Sequence, residues 1–304
     1  MVTRRPLAIA LGVLAITAGF ATVARIVFDR LVYVPDPSAA RAGVEAPAPA
    51  GTVHVLKVSG TVERSSSLGP WGPVATGDQL GAEDSIRTGA SSTAELGVGE
   101  RSRMMVAEAS RITVSEVTTA APRFRLARGR IAVDYVEGRE RRLRVEDEAG
   151  RAVETEQAHF GLLATGAMLA VATETGSVTL RAGGAAVNVG AGQQSAARGD
   201  LPPARAEPIP STLLLKLASA AADLDRDDCA AVTGAASPAS SIAIDAQPVQ
   251  LDERGRFAVR VRRRRGQAAA LVTITDALGR IAQRAVPCRV TEPQVKDLSL
   301  RWKR

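Results

Sequence analysis

Short runs of alternating apolar and polar residues, separated by glycine-containing turns, make up the chain from about residue 51 to residue 197. None of these runs keeps an apolar period of about 3.6 residues, as an amphipathic helix would, whereas a period of two is typical of half-buried strands. The sequence therefore predicts an all-β domain over residues 51–200. Its clearest predicted strands are 52–62, 92–98, 111–117, 129–135, 142–146, 168–173 and 177–181.

Several of these strands begin with glycine, a polar residue and then a β-branched residue. The glycines are Gly51, Gly60, Gly129 and Gly176. This recurring pattern is expected in a roll of stacked strands, and it is equally expected in a β-sandwich with glycine turns. The sequence therefore does not decide between these two architectures.

A second all-β unit is predicted at residues 229–291, with strands at 241–244, 257–261, 269–275 and 281–290. The turns 252–255 and 276–279 join some of these strands, because Asp and Gly accept turn geometry. Between the two β-domains, residues 201–228 contain a proline cluster and then a leucine-rich stretch after Ser211. Serine is a good helix N-cap and leucine favours helix, so we expect a short linker helix that runs to about residue 222.

The N-terminal residues have the pattern of a membrane anchor. Residues 7–24 carry no charge and follow Arg4 and Arg5, so a spanning helix over 7–27 with a cytoplasmic end at 1–6 is expected. The alternative is a cleaved signal peptide, for which residues 22–24 would serve as the cleavage site. Both interpretations place the bulk of the chain across the bacterial inner membrane. Residues 28–50 then form a Pro/Ala-rich stalk, and 292–304 form a basic tail.

Cys229 and Cys288 lie at the two ends of the second β-domain and are the only cysteines of the chain. In an oxidising compartment such a pair predicts a disulfide bond, which a domain of about 60 residues often needs. A redox or metal-binding thiol pair is the alternative, but no third cysteine or nearby histidine supports it.

The net charge of +7 does not by itself indicate a nucleic-acid partner. Only four of the 39 basic residues are lysines, and the arginines are spread along the chain rather than gathered in one stripe. The one dense cluster is Arg260 with Arg262, Arg263, Arg264 and Arg265. It is a candidate site for an anionic partner. The alternative is a hairpin end whose charges stay in water and protect a strand edge from pairing.

No catalytic or cofactor-binding constellation is found in the sequence. His54 and His159 have no neighbouring histidine, cysteine or paired carboxylate at metal-ligand spacing. Asp78, Glu83 and Asp84 are accounted for by turn chemistry. The sequence therefore predicts no enzyme activity, no cofactor and no metal site.

Residues 71–96 resemble the FecR domain of bacterial envelope proteins. The resemblance rests on Trp71 to Val74, Gly77-Asp78, Asp84 to Thr88 and Ala94 to Leu96, and it covers about residues 52–197. It implies an external sensing or binding domain, with Trp71, Ile86 and Leu96 in its core. Iron-uptake regulators of the family engage a sigma factor through a longer cytoplasmic region. Six residues are too few to bury an interface of about 1,000 Å², which argues against direct sigma-factor binding.

Residues 229–291 resemble small bacterial immunoglobulin-like modules, through the turns and the apolar positions of their predicted strands. The predicted fold is therefore mainly β, with a transmembrane helix, a FecR-like β-sandwich or β-roll, a short linker helix and an immunoglobulin-like β-sandwich. The expected function is a membrane-anchored, non-catalytic binding or sensing module of the envelope, with a role in signal transduction. The alternative is a structural tether to the cell wall or another anionic polymer. Expected partners are thus an envelope protein or a cell-wall polymer, and no nucleic acid.

Overall fold

The computed structural model describes residues 53–67, 69–99, 101–117, 122–136, 141–213, 216–219, 228–237, 239–252 and 255–288. Every secondary-structure element in these residues is a β-strand, which confirms the mainly β prediction. They form a large β-domain over 53–208 and a small one over 216–288.

The large domain contains β1 (Val53–Ser59), β2 (Val62–Ser66), β3 (Gly72–Pro73), β4 (Gln79–Leu80), β5 (Asp84–Thr88), β6 (Thr93–Val98), β7 (Ser102–Val106), β8 (Arg111–Glu116), β9 (Arg123–Tyr135), β10 (Leu143–Glu146), β11 (Ala152–Thr155), β12 (Ala158–Ala164), β13 (Met168–Ala182), β14 (Ala185–Gly190), β15 (Gln193–Arg198) and β16 (Glu207–Pro208). The small domain contains β17 (Lys216–Ser219), β18 (Asp228–Ala235), β19 (Ser240–Ile244), β20 (Gln247–Val249), β21 (Arg256–Arg262), β22 (Ala269–Asp276) and β23 (Ile281–Pro287).

The large domain consists of two layers that share two long strands. Within the described residues, one layer has the order β4-β1-β6-β7-β9-β12-β13-β15-β16. The other has the order β3-β2-β5-β8-β9-β10-β11-β13-β14. One apolar core draws residues from both layers, among them Ile86 and Leu96 as predicted. Because β9 and β13 run from one layer into the other, the domain is a roll.

The strand β9 changes layers at Gly129, and its burial pattern shifts there. Phe124 and Leu126 are buried before this point, and Ile131 and Val133 are buried after it. The buried positions change from even to odd because the core lies on the opposite side of the strand in the second layer. Gly129 adopts a φ of +97°, which other residues rarely accept.

Ser110 fills the space where a Cβ on residue 129 would lie. Its Oγ accepts a hydrogen bond from the N–H of Arg130 at 3.0 Å and donates one to the carbonyl of Glu108 at 3.1 Å. The corner of the roll therefore requires glycine for two reasons, the left-handed backbone of residue 129 and its close contact with Ser110. Two other glycines of the sequence pattern lie at changes of layer, Gly60 between β1 and β2 and Gly176 within β13.

The small domain is a two-sheet β-sandwich. Its described sheets have the orders β17-β18-β21 and β20-β19-β22-β23. Both contribute to one core, for example Val232 and Phe257 from the first sheet and Ile242 and Val272 from the second. The predicted disulfide between Cys229 and Cys288 is present.

The predicted linker helix is wrong for residues 216–219, which form β17. The backbone of β17 pairs with β18 in antiparallel register, and Leu217 packs against the core of the small domain. Helix propensity is a weak preference, and pairing with an existing sheet overrides it here. Residues 214–215 and 220–222 of the predicted helix lie outside the described residues.

The two β-domains contact each other through the turn between β22 and β23. Ala277 of this turn packs on the face of β12 and β13 that points away from the core of the roll, together with Leu163 and Ala170. A Cβ on Gly161 would overlap the carbonyl of Ala277. The small residues of this face therefore permit the close approach of the second domain.

The predicted anchor 7–27, the stalk 28–50 and the tail 292–304 lie outside the described residues. The part of the chain that the structure describes contains no helix long and apolar enough to span a bilayer.

Gly129→Ala tests the corner of the roll. A left-handed alanine costs about 1–2 kcal/mol, and the overlap with Ser110 raises the expected loss to about 3 kcal/mol or more. The matched control is Gly184→Ala, because Gly184 has a φ of +74° but no atom near its Cβ position. Urea unfolding should show a clearly larger destabilisation for Gly129→Ala, and equal losses would contradict the packing argument.

Replacing both Cys229 and Cys288 with alanine tests the contribution of the disulfide, which closes a loop with a sequence separation of 59. Releasing this loop should destabilise the small domain by about 4 kcal/mol through the entropy of the unfolded chain. Dithiothreitol should lower the melting temperature of the wild type and leave that of the variant unchanged. A wild type that melts at the same temperature with and without reductant would contradict the expectation.

Candidate functional site

The five arginines predicted as a candidate anion site lie together at one end of the small domain. In β21 the exposed and buried residues alternate, so that Arg260 and Arg262 point outward while Val261 packs into the core. Arg264 and Arg265 are exposed in the turn that follows, and Arg263 is partly buried. The structure thus brings the predicted residues to one surface.

This surface borders a groove between two edge strands. Within the described residues, β21 pairs on one side only, with β18, and β20 pairs only with β19. Pro248 of β20 has no N–H to donate, and an edge strand tolerates it for this reason. The groove between the two edges has a volume of about 500 Å³.

The floor of the groove is apolar and its rim is basic. Ile244 and Val261 are buried in the core beneath it. Four arginines and one aspartate line the groove. The aspartate, Asp245, accepts hydrogen bonds from the N–H of Leu271 at 2.9 Å and from Nε2 of Gln267 at 2.7 Å. Its charge is therefore engaged in the fold, and the rim presents positive charge outward.

The turn that carries Arg264 and Arg265 is held by its own hydrogen bonds. The side-chain oxygen of Gln267 accepts from the N–H of Arg264 at 2.9 Å, and the N–H of Gln267 donates to the carbonyl of Arg264 at 3.0 Å. Because these hydrogen bonds fix the backbone of the turn, the side chains of Arg264 and Arg265 project from fixed backbone positions beside the groove.

A second depression, of about 450 Å³, lies on the outer face of the roll beside β11 and β13. Its charges pair with one another. Arg144 Nη1 and Arg181 Nε contact the two carboxylate oxygens of Glu154 at 2.6 and 3.0 Å, and Arg142 pairs with Glu156 at 2.7 Å. Burial by itself raises the pKa of Glu154, but the hydrogen bonds from Arg181 and Arg144 outweigh it and lower the pKa overall. We interpret this cluster as a stabilising ladder across strands.

The remaining candidate polar residues have local roles. Asp78 Oδ2 accepts from the N–H of Ala75 at 3.0 Å, and Asp84 Oδ2 accepts from the N–H of Gly81 at 2.9 Å, so each aspartate caps a turn. His159 contacts Glu174 at 3.2 Å on an exposed strand face. No group of three or more His, Cys, Asp or Glu residues is arranged to hold a metal ion in the described residues.

The prediction that Trp71 belongs to the core is wrong. Trp71 is only partly buried, and the guanidinium groups of Arg87 and Arg111 lie over its ring at 4.4 and 5.3 Å from the centroid. The two arginines come from neighbouring strands, β5 and β8. The flat indole ring provides a surface for cation–π contacts, which explains its position outside the core.

A five-residue hairpin that the sequence analysis did not single out occurs three times. Its pattern is Asp-x-x-Gly-Arg, and the copies begin at Asp147, Asp252 and Asp276. In each copy the aspartate accepts hydrogen bonds from both the backbone N–H and Nε of the arginine four residues later, at 2.6 to 3.0 Å. The recurring spacing of aspartate, glycine and arginine was the signal in the sequence from which this hairpin could have been predicted. The predicted turns 252–255 and 276–279 each ended one residue before the arginine.

Glu154→Gln tests the ladder through the pH dependence of stability. The side chain of Glu154 is only 14% exposed, and we expect a loss of about 1 kcal/mol at neutral pH. A lowered folded-state pKa contributes stability above the unfolded value, which is lost as the pH falls through the folded value. The difference from the wild type should therefore shrink below about pH 4. Chemical unfolding at several pH values measures this, with the exposed Glu148→Gln as control, and a difference that stays constant would contradict it.

Comparison with known proteins gives one family match and two weak structural similarities. A search of curated proteins found no match. Two solved structures of a protein from Parabacteroides distasonis ATCC 8503, provisionally described as an anti-sigma factor, are similar with TM-scores of 0.37 and identities of 11% and 12%. The similarity covers 41% of this chain, and the chain spans 59% of the length of each of these proteins.

The family model described as FecR protein matches residues 84–179. This segment begins with β5 and ends within β13, so it lies entirely in the roll. The chain therefore carries a FecR segment at residues 84–179 of its large β-domain.

Proposed function

We propose that this protein is a non-catalytic binding and sensing protein of the bacterial envelope that takes part in signal transduction. The FecR segment supports the signalling role. The disulfide supports an oxidising compartment outside the cytoplasm. In this proposal residues 7–27 anchor the chain in the inner membrane, and the two β-domains face the periplasm.

The observation that carries the proposed binding role is the arginine-rimmed groove of the small domain. We propose that this domain is an immunoglobulin-like module, which its two facing sheets and disulfide support. Within the described residues one edge of β21 is unpaired, so it offers main-chain hydrogen bonds to an extended segment, and the arginines favour an acidic one. The proposed partner is therefore an envelope protein that presents an extended acidic strand.

The contact between the two domains supports a sensing role. Gln194 of β15 donates to Ser237 Oγ of the small domain at 3.0 Å, and Arg280 Nη1 donates at 2.8 Å to the carbonyl of Pro210 in the linker that follows β16. Burial lowers the pKa of the Arg130 guanidinium, which lies against Gly279, and the carboxylates of Asp276 and Glu108 partly offset this effect. These contacts provide a path by which a partner on the small domain would act on the FecR segment.

Site-specific photo-crosslinking in cells tests the proposed partner. A photoreactive residue at Val249 in the groove should give a discrete protein adduct, and one at the exposed Gln283 of β23 should not. Arg262→Glu with Arg264→Glu should reduce the adduct at least about tenfold, because two attractive charges become repulsive. The matched control, Lys57→Glu with Arg284→Glu, changes the net charge equally. Equal adduct yields in the two double variants would contradict a role of the groove.

The alternative function is a tether to the cell wall or another anionic polymer, which the arginine cluster also favours. Purified cell-wall sacculi distinguish the two functions. Retention of the protein that is salt-sensitive and lost after Arg262–265→Ser would establish the tether, whereas no retention together with a groove-specific protein adduct would exclude it.

A further inference from the structure

The three Asp-x-x-Gly-Arg hairpins aim their arginines in the same way. Since the aspartate holds the backbone N–H and Nε of the arginine, the two terminal guanidinium nitrogens point away from the hairpin. They are therefore presented, in a fixed orientation, to whatever packs beside it. A planar group with fixed donors is suited to oxygen acceptors in a defined position.

In two copies at least one of these terminal nitrogens binds a main-chain carbonyl. Arg151 donates to the carbonyls of Gly166 at 2.6 Å, Ala167 at 2.8 Å and Gly199 at 3.4 Å. Arg280 donates to the carbonyl of Pro210 at 2.8 Å. Within this protein the motif is thus a receptor for the backbone of irregular segments that contain glycine or proline.

The third copy has the same geometry without such a carbonyl. Arg256 is held by Asp252 at 2.7 Å through its backbone N–H and at 3.0 Å through Nε. No oxygen of the described residues accepts a hydrogen bond from its terminal nitrogens, and its side chain is 60% exposed. Arg256 is therefore oriented like Arg151 and Arg280, but in the described part of the chain no main-chain carbonyl accepts a hydrogen bond from its terminal nitrogens.

Arg256 lines a cleft of about 640 Å³ between the two β-domains. The opposite wall includes Ala167 and Gly199, whose carbonyls Arg151 already holds from inside the roll. This wall is consequently fixed in place. Clefts between domains are common positions for ligand sites.

The lining of the cleft indicates what it binds. Arg198 and Arg256 are balanced by Asp200 and Asp252, so the cleft has no excess charge to attract an anion. Leu201, which is 44% exposed, and Leu251 add an apolar surface. Donors for carbonyl oxygens beside apolar side chains match an uncharged, extended polypeptide.

We propose that this cleft is a second binding site, which takes an extended, uncharged polypeptide segment of a partner protein through main-chain carbonyls bound by Arg256. Leucines 201 and 251 contact the apolar side chains of that segment. The site is separate from the arginine-rimmed groove and does not depend on the function proposed for it.

Equilibrium dialysis of the full-length, detergent-solubilised protein with a peptide of five Pro-Ala repeats, blocked at both ends, tests the proposal. This probe is extended, uncharged and rich in free carbonyls. We expect binding in the millimolar range or tighter. Arg256→Lys should weaken it about tenfold or more, because lysine lacks the paired donors. No binding to the wild type at millimolar concentration overturns the proposal.

Two further variants separate binding from folding. Leu201→Glu leaves the hairpin intact and should also weaken binding, whereas Arg262→Glu with Arg264→Glu should leave it unchanged. Unchanged binding in both Arg256→Lys and Leu201→Glu would assign the peptide to another surface and overturn the proposal. Loss of binding in Arg256→Lys alone would equally overturn it, because the proposed contact with the leucines would then be absent. Inorganic phosphate that displaces the peptide in competition would show an anion site instead and would equally overturn it.

Discussion

A carboxylate that holds the arginine four residues later is the interaction on which the tertiary structure depends. In the first copy, Asp147 and Arg151 are almost completely buried, and Arg151 ties three carbonyls of neighbouring turns to the end of the roll. A buried charge without its partner is strongly unfavourable, so the pair and its carbonyls form or break together. The copy formed by Asp276 and Arg280 uses the same geometry where the small domain meets the linker.

The two β-domains are stabilised in different ways. The roll has a large continuous core because β9 and β13 belong to both of its layers, and its surface charges pair across strands. The small sandwich has a smaller core and a disulfide that restricts its unfolded state. Within the described residues, β20 and β21 of the small domain each leave one edge unpaired, and the arginine cluster lies beside these two edges.

The local strand pattern was largely predictable, since β6 (Thr93–Val98) and β8 (Arg111–Glu116) nearly coincide with the predicted strands 92–98 and 111–117. The predicted strands 168–173 and 177–181 are instead one strand, β13, because the glycine between them turns the chain into the second layer without ending the strand. The predicted linker helix was wrong at Leu217 because the pairing of β17 with β18 overrides the helix propensity of leucine. The arginine cluster was predicted from sequence, but the groove beside it was not, because β20 and β21 meet only after folding.

By itself, the sequence determined the all-β class, the FecR resemblance around Asp84 to Leu96 and the pairing of the two cysteines. Each of these depends on local alternation, turn chemistry or residue count. Only the tertiary structure decided between a roll and a sandwich, placed Trp71 beneath two arginines and left the terminal nitrogens of Arg256 facing a cleft. These features depend on contacts between residues far apart in the chain, and the position of a side chain relative to such neighbours is set by packing, which no local pattern encodes.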